Sequence, residues 1–186
     1  MKTVLTFLYA LLLVIICGGP LHAQHYQATD DGSQVKFTIV NHLVFTTTVN
    51  GYLKGLKGNI TFDPQNLKTA VIDATVKVST INTGIAKRDR DLLGEKYFNA
   101  EKYPVIRILS TSVVSAGKPD TYQLIATLTI KGVTKTVSFP FTAVLVSNAC
   151  QLNAQFTINR HDFGVGPDNA IDDKLKVSLQ VLAKKQ

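Results

Sequence analysis

Residues 121–146 read TYQLIATLTIKGVTKTVSFPFTAVLV, two long runs separated by the short segment Lys131-Gly132-Val133. In the first run every second side chain is apolar, and these share one face: Tyr122, Leu124, Ala126, Leu128 and Ile130. Alternation with a period of two indicates an antiparallel strand with one buried face and one face in water. Gly132 can supply the backbone conformation of a tight turn, so the two runs are predicted to form a β-hairpin.

The same alternation extends over most of the chain. It predicts strands near 34–40, 45–54, 58–63, 70–78, 105–115, 121–131, 134–146, 151–159 and 174–183. Turn residues separate several of them, including Pro64 after the third run and the segment 117–120. Long consecutive antiparallel strands hide their edges in a closed barrel or in a sandwich, and the fold class is therefore all-β.

One segment breaks the pattern. Residues 83–96 are rich in charge and place Ile85, Leu92 and Leu93 at helical spacing. Thr83 suits the start of a helix and Gly94 suits its end, while Lys87 and Asp91 can form an ion pair four residues apart. The segment is interpreted either as a short solvated helix across one end of the barrel or as a helical lid over a ligand mouth.

The N-terminus has the features of an export signal. Lys2 precedes an apolar run from Val4 to Cys17, and a helix-breaking segment and Leu21-His22-Ala23 follow. We expect a signal peptide at residues 1–23, a mature domain at 24–186 and a periplasmic or otherwise exported protein. An uncleaved anchor and a lipid-anchored Cys17 are the alternatives, the second disfavoured by bulky Ile15 and Ile16.

Composition limits the remaining classes of protein. The chain has 186 residues, of which 45% are hydrophobic and 18% charged, enough for one domain with a core. Removal of Lys2 with the signal lowers the net charge from +7 to +6. A basic protein favours anionic partners such as a membrane surface, in a transient contact. Nucleic acid is not an expected partner, because the basic residues are scattered.

The sequence does not favour catalysis or metal binding. His25, His42 and His161 have no short metal-ligand spacing, and we expect His25 at a frayed end and the other two in structural hydrogen bonds. The acidic loop has no calcium-loop spacing; it contains Asp162, Asp168, Asp172 and Asp173. Cys150, unpaired after cleavage, is expected to be an inert core residue. We therefore expect no enzyme and no cofactor.

The motifs together resemble the YceI-like family of lipid- or polyisoprenoid-binding proteins. The resemblance runs from about Tyr26 to Ala183 and rests on motifs in a fixed order: residues 33–39 (SQVKFTI) with His42-Leu43, 58–64 (GNITFDP), 81–84 (INTG) with 87–89 (KRD), 97–104 (YFNAEKYP), 128–135 (LTIKGVTK) and 157–164 (TINRHDFG). Two positions depart from the family pattern. Asp91 stands where the family often has His, and Arg107 where it has an apolar residue.

The resemblance implies a lipocalin-like antiparallel β-barrel of about eight strands with one short helical lid. It also implies a ligand such as a polyprenyl phosphate or an isoprenoid quinone, held for transport, storage or sequestration. From the alternation, with the lid and the end of the first strand added, the expected ligand-binding residues are Phe37, Ile39, His42, Ile72, Ala74, Val76, Arg88, Leu92, Tyr97, Phe98, Tyr122, Leu124, Ala126, Leu128, Val177 and Leu179. The alternative function is a periplasmic protein-interaction module with a filled core.

Overall fold

The computed structural model describes residues 24–42 and 44–186. These residues form one α-helix and nine strands: β1 Gln24–Ala28, β2 Gln34–Asn41, β3 Thr47–Phe62, β4 Val71–Asn82, α1 Ala86–Leu93, β5 Val105–Ser115, β6 Thr121–Ile130, β7 Val133–Val146, β8 Ala149–Asn159 and β9 Lys174–Lys185. No helix within these residues is long and apolar enough to cross a membrane. The predicted signal peptide at 1–23 lies outside the described residues.

All strands belong to one antiparallel sheet that closes into a barrel. The order is β1-β3-β2-β9-β8-β7-β6-β5-β4, and β4 pairs with β3 to complete the ring. Both β1 and β2 lie between β3 and β9, β2 at the end near the helix and β1 at the opposite end. The ring therefore has eight strand positions, which confirms the predicted antiparallel barrel of about eight strands.

The prediction of separate strands at 45–54 and 58–63 is wrong, because β3 is continuous from Thr47 to Phe62. Gly55, at φ +72°, lies where the register between β3 and β4 shifts. A glycine in this conformation absorbs a β-bulge without ending the strand. The Asp30 carboxylate accepts hydrogen bonds from the backbone N–H groups of Gly55 and Leu56, each at 2.9 Å, and so satisfies the bulge.

The sequence pattern also missed β1, and the expectation that His25 lies at a frayed end is wrong. β1 pairs with β3 and β9, and the His25 ring Nδ1 lies 3.0 Å from the Thr61 hydroxyl. Only Tyr26 and Ala28 of this strand are buried. Two apolar side chains in five residues are too weak an alternation to predict a strand.

The helix is shorter than the predicted 83–96, and its first turn differs. Its N-cap residue is Ile85, so the prediction that Thr83 caps the helix is wrong. The Thr83 hydroxyl instead donates to the Asp89 carboxylate at 2.5 Å, and the Thr83 backbone N–H donates to the same oxygen at 2.8 Å. Gly94 ends the helix, and the predicted pair of Lys87 and Asp91 forms at 3.1 Å on its exposed side.

An aromatic cluster closes the barrel at the end away from the helix. The Phe62 ring meets the Tyr122 ring edge-on at 5.1 Å between centroids, and Tyr122 lies 5.5 Å from Phe141. Such pairs add packing energy beyond the area they bury. Cys150 belongs to the same buried core and has no exposed surface, as predicted.

The Cys150 thiol is expected to be unreactive in the folded protein. Burial raises its pKa to about 11, so little thiolate forms at neutral or mildly alkaline pH. A thiol reagent such as Ellman's reagent should label Cys150 only after denaturant is added, at the rate of unfolding. Rapid stoichiometric labelling at pH 8 in the absence of denaturant would contradict this buried position.

Candidate ligand cavity

The interior of the barrel is hollow. A cavity of about 260 Å³ runs between the aromatic cluster and the helix end, lined by residues of all nine strands, of α1 and of the adjoining loops. Aliphatic and aromatic groups dominate its surface, and the Phe139 and Phe156 rings stack within the wall at 3.9 Å. A concave, apolar, preformed space of this kind is suited to a small apolar ligand. The hollow interior disfavours the alternative of a filled core.

Most of the residues expected at the ligand lie on this wall. Alternation places them inward from the strands, and the helix and its following turn supply the others: Phe37, Ile39, Ile72, Ala74, Val76, Arg88, Leu92, Tyr97, Phe98, Leu124, Leu128, Val177 and Leu179. Phe37 fits because Gly51 lies opposite it in β3, where a Cβ would come within 2.1 Å of the ring. The aromatic ring therefore occupies space that any larger residue at Gly51 would fill.

Three of the expected residues are elsewhere. Tyr122 belongs to the aromatic cluster at the closed end. Ala126, between the lining residues Leu124 and Leu128, is fully buried in the core and does not reach the cavity surface. His42 lies at the outer side of the rim, where its Nε2 is 2.9 Å from the Asp172 carboxylate and its Nδ1 is 3.3 Å from the Thr46 hydroxyl. This is the structural hydrogen bonding expected of His42, and it directs the ring away from the cavity.

The cavity wall also includes residues that the sequence reasoning did not name. Ile106 and Ile108 of β5 and Phe156 and Ile158 of β8 follow the same period of two and could have been found from it. In β3 the inward positions are odd-numbered up to Leu53 and even-numbered from Leu56, because the bulge at Gly55 reverses the alternation. A search with a fixed period fails at that point.

Polar side chains are concentrated at the helix end. Arg88 and Leu92, one turn apart on α1, both face the cavity. The Arg88 guanidinium donates through Nε to the Thr83 hydroxyl at 2.7 Å and through Nη2 to the Thr83 carbonyl at 2.8 Å. These bonds fix the guanidinium at the rim of the cavity.

A buried arginine shapes the opposite side of the rim. Arg160 is 6% exposed and donates to the carbonyls of Val165, Pro167, Ile171 and Asp172 at 2.9–3.3 Å. This one side chain therefore folds the loop 164–173 around itself. The loop is joined to the turn after the helix by a hydrogen bond of 3.0 Å from the Gly166 N–H to the Lys96 carbonyl.

The helix is expected to control ligand exchange more than stability. Arg88→Ala removes two hydrogen bonds to a partly exposed threonine, so the free energy of unfolding should fall by no more than about 1–2 kcal/mol. Exchange of a fluorescent prenyl ligand, followed by stopped flow, should change several-fold because the rim side chain is lost. A loss of several kcal/mol with unchanged exchange would assign the helix a structural role only.

Comparison with known proteins shows to which family this chain belongs. A family model described as the YceI-like domain matches residues 26–183. The chain belongs to the YceI-like family. A UPF0312 protein of Photorhabdus laumondii is 37% identical over 98 residues, 53% of this chain and 50% of that protein. A UPF0312 protein of Pseudomonas putida strain W619 is 27% identical over 184 residues, 95% of each chain.

Solved structures have the same fold as this YceI-like chain. BcnA of Burkholderia cenocepacia superposes with a TM-score of 0.77 at 22% identity, over 84% of this chain and 99% of that one. A polyisoprenoid binding domain of Saccharophagus degradans, implicated in plant cell wall breakdown, superposes with a TM-score of 0.72 at 14% identity. That match covers 89% of this chain and all of the other. At these identities the likeness shows the fold alone.

Both departures from the YceI-like pattern lie on the outside of the barrel. Arg107 faces solvent, where its guanidinium makes two bonds of 2.7–2.8 Å to Asp73 and lowers the pKa of that carboxyl. Asp91 is exposed and paired with Lys87. Within residues 24–42 and 44–186, no three His, Cys, Asp or Glu side chains lie close enough to hold a metal ion.

Proposed function

We propose that this protein binds a long-chain polyisoprenoid or a similar amphipathic lipid in its barrel, without catalysis, for transport, storage or sequestration. The observation that carries the proposal is the hollow apolar interior with Arg88 and Thr83 at its rim. An apolar tail would occupy the interior, and a polar head would lie beside the rim. A polyprenyl phosphate or an isoprenoid quinone has this construction. The neighbouring structure named as a polyisoprenoid binding domain supports the same ligand class.

Most of the free energy of such binding comes from the apolar tail of the ligand. For ligands of this size the attainable affinity is about 0.3 kcal/mol per heavy atom, or about 1.5 kcal/mol for each five-carbon unit. Each unit inside the cavity should therefore improve the dissociation constant by roughly tenfold. A protein that binds in this way needs only a few polar groups. Arg88 and Arg160, the two arginines at the cavity, are already hydrogen-bonded to the protein's own atoms.

A chain-length series tests the proposal. Prenyl phosphates of one to four isoprene units are titrated into delipidated protein, with inorganic phosphate as the control for the head alone. Affinity should rise by roughly tenfold per unit until the interior is full, and phosphate alone should not compete. Affinities that do not depend on chain length, or binding of phosphate as strong as that of the longest ligand, would contradict a tail-dominated lipid site.

We also propose that the protein is exported to the periplasm after cleavage of residues 1–23. The basic start and apolar run of the sequence support this location. Mass spectrometry of protein from its native host should show an N-terminus at Gln24. A chain that retains Met1 would show that the segment is not removed.

A further inference from the structure

The loop between β2 and β3 exposes two adjacent large apolar side chains. Val44 is 82% and Phe45 79% exposed, more than any other large hydrophobic residue in the part of the chain that the structure describes. Single exposed apolar residues are common on protein surfaces. Two in succession at the tip of a loop are suited to insertion into an apolar partner, because the loop can present them without disturbing the barrel.

The outer wall that runs from this loop along the barrel carries several lysines. It is formed by the adjacent strands β9, β2, β3 and β4, and we call its side chains the lysine wall: Lys36, Lys54, Lys57, Lys77 and Lys176. The strands β2, β3 and β9 contain no Asp or Glu, and the one carboxylate of β4, Asp73, is bound by Arg107. None of the ion pairs among the described residues includes a member of the lysine wall.

The arrangement of charges in the lysine wall lowers the stability of the fold. Lys54 lies directly opposite Lys77 in the pairing of β3 with β4. Like charges at opposed positions of two strands repel each other and lower stability. Nearby, the Lys36 ammonium lies 5.9 Å from the centre of the exposed Tyr52 ring, a pairing that leaves an aromatic and a cation together at the surface. The carboxylate of Asp30 lies at the bulge beside Lys54, where it accepts hydrogen bonds from the Gly55 and Leu56 N–H groups and forms no ion pair with a lysine of the wall. Lysines without an ion-pair partner attract an anionic partner.

The exposed loop also adjoins the cavity rim. At its base Asn41 forms a bridge with Ile171, and both residues line the cavity. The His42 N–H donates to the Ala170 carbonyl at 2.7 Å, and the Asp172 N–H donates to the Val40 carbonyl at 2.9 Å. A surface that receives Val44 and Phe45 therefore comes close to the opening of the barrel.

We propose that Val44, Phe45 and the lysine wall together form a docking surface for a lipid bilayer with anionic head groups. Phe45 and Val44 enter the interface, and the lysines contact the head groups, a combination that favours a membrane over a soluble acidic protein. Lys36 lies six residues, about 20 Å, from His42 at the start of the loop, beyond the screening distance of about 8–10 Å at physiological salt. The barrel therefore lies inclined, with the lysine wall towards the bilayer.

Co-sedimentation with vesicles tests the proposal independently of any ligand in the barrel. The vesicles contain phosphatidylcholine with about one third phosphatidylglycerol and no prenyl lipid, and pure phosphatidylcholine vesicles are compared with them. The protein should bind the anionic vesicles and be released by about 0.5 M salt. Phe45→Ser should weaken partitioning by at least about tenfold, and Lys54→Glu by roughly fivefold or more.

Matched variants serve as controls. Leu145→Ser alters an apolar residue that is 40% exposed at the opposite end of the barrel, and Lys135→Glu reverses an exposed charge on β7, across the barrel. Both should bind vesicles like the parent protein. Lys54→Glu should remain folded, because the new carboxylate faces Lys77. No binding to anionic vesicles, binding that salt does not affect, or an equal loss in Leu145→Ser and Phe45→Ser would overturn the proposal.

Discussion

Ala74→Phe is expected to weaken the binding of a prenyl ligand by roughly tenfold and to change the free energy of unfolding by less than about 1 kcal/mol. Ala74 lines the cavity, so an added ring enters space that is empty in this structure. The ring adds six carbon atoms and displaces about one five-carbon unit of a ligand, which is worth about 1.5 kcal/mol. Isothermal titration and urea denaturation of the same preparation measure both quantities.

Ala126→Phe is the matched control for this substitution. Ala126 has no exposed surface, lies in the packed core and does not reach the cavity. The same ring should therefore overpack the core and lower the free energy of unfolding by about 1–3 kcal/mol. Equal destabilisation by both substitutions, with ligand affinity unchanged in Ala74→Phe, would show that the interior is not a ligand cavity.

Arg160→Met is expected to lower the free energy of unfolding by about 3–5 kcal/mol. The substitution keeps an apolar stem of similar reach but leaves four carbonyl groups of the loop 164–173 without their donor. Unsatisfied buried groups each cost about 1–3 kcal/mol, reduced here by whatever water the loop admits. Urea denaturation measures the loss, and hydrogen exchange should show that amide protection falls first in this loop.

Two further variants show whether the hydrogen bonds of Arg160 are the cause. Arg160→Lys retains the charge but cannot place five N–H donors in a fixed plane, so most of the loss should remain. Arg90→Met removes an exposed arginine from α1 and should change stability by less than about 0.5 kcal/mol. Full stability of Arg160→Lys would show that charge, and not the planar set of donors, holds the loop.

The barrel could be predicted from alternation because each strand from β4 to β9 buries one face. The hairpin at Lys131-Gly132 is a clear case, with both residues at positive φ between β6 and β7. The prediction of strand ends failed at Gly55, because this glycine forms a bulge within β3 and not a turn between two strands. It also failed for β1, whose pairing with β3 and β9 is long-range and leaves almost no periodic signal in five residues.

The site could be predicted in part for the same reason. Alternation identifies an inward side chain but does not show which inward side chains are covered by their neighbours, so Tyr122 and Ala126 could not be separated from Leu124. The part played by Arg160 depends on carbonyl groups up to twelve residues away that converge only in the folded loop. The register at which Asn41 pairs with Ile171 is likewise set by tertiary contacts.

Native mass spectrometry of protein purified from its own host without detergent tests lipid binding most directly. Because the apolar interior is hollow and the proposed ligand binds through its tail, a fraction of the protein should carry one additional mass. Extraction should identify that mass as an isoprenoid or a comparable long-chain lipid, and Ala74→Phe should reduce its occupancy. A homogeneous ligand-free mass, together with no uptake of prenyl lipids added to the same preparation, would contradict the account.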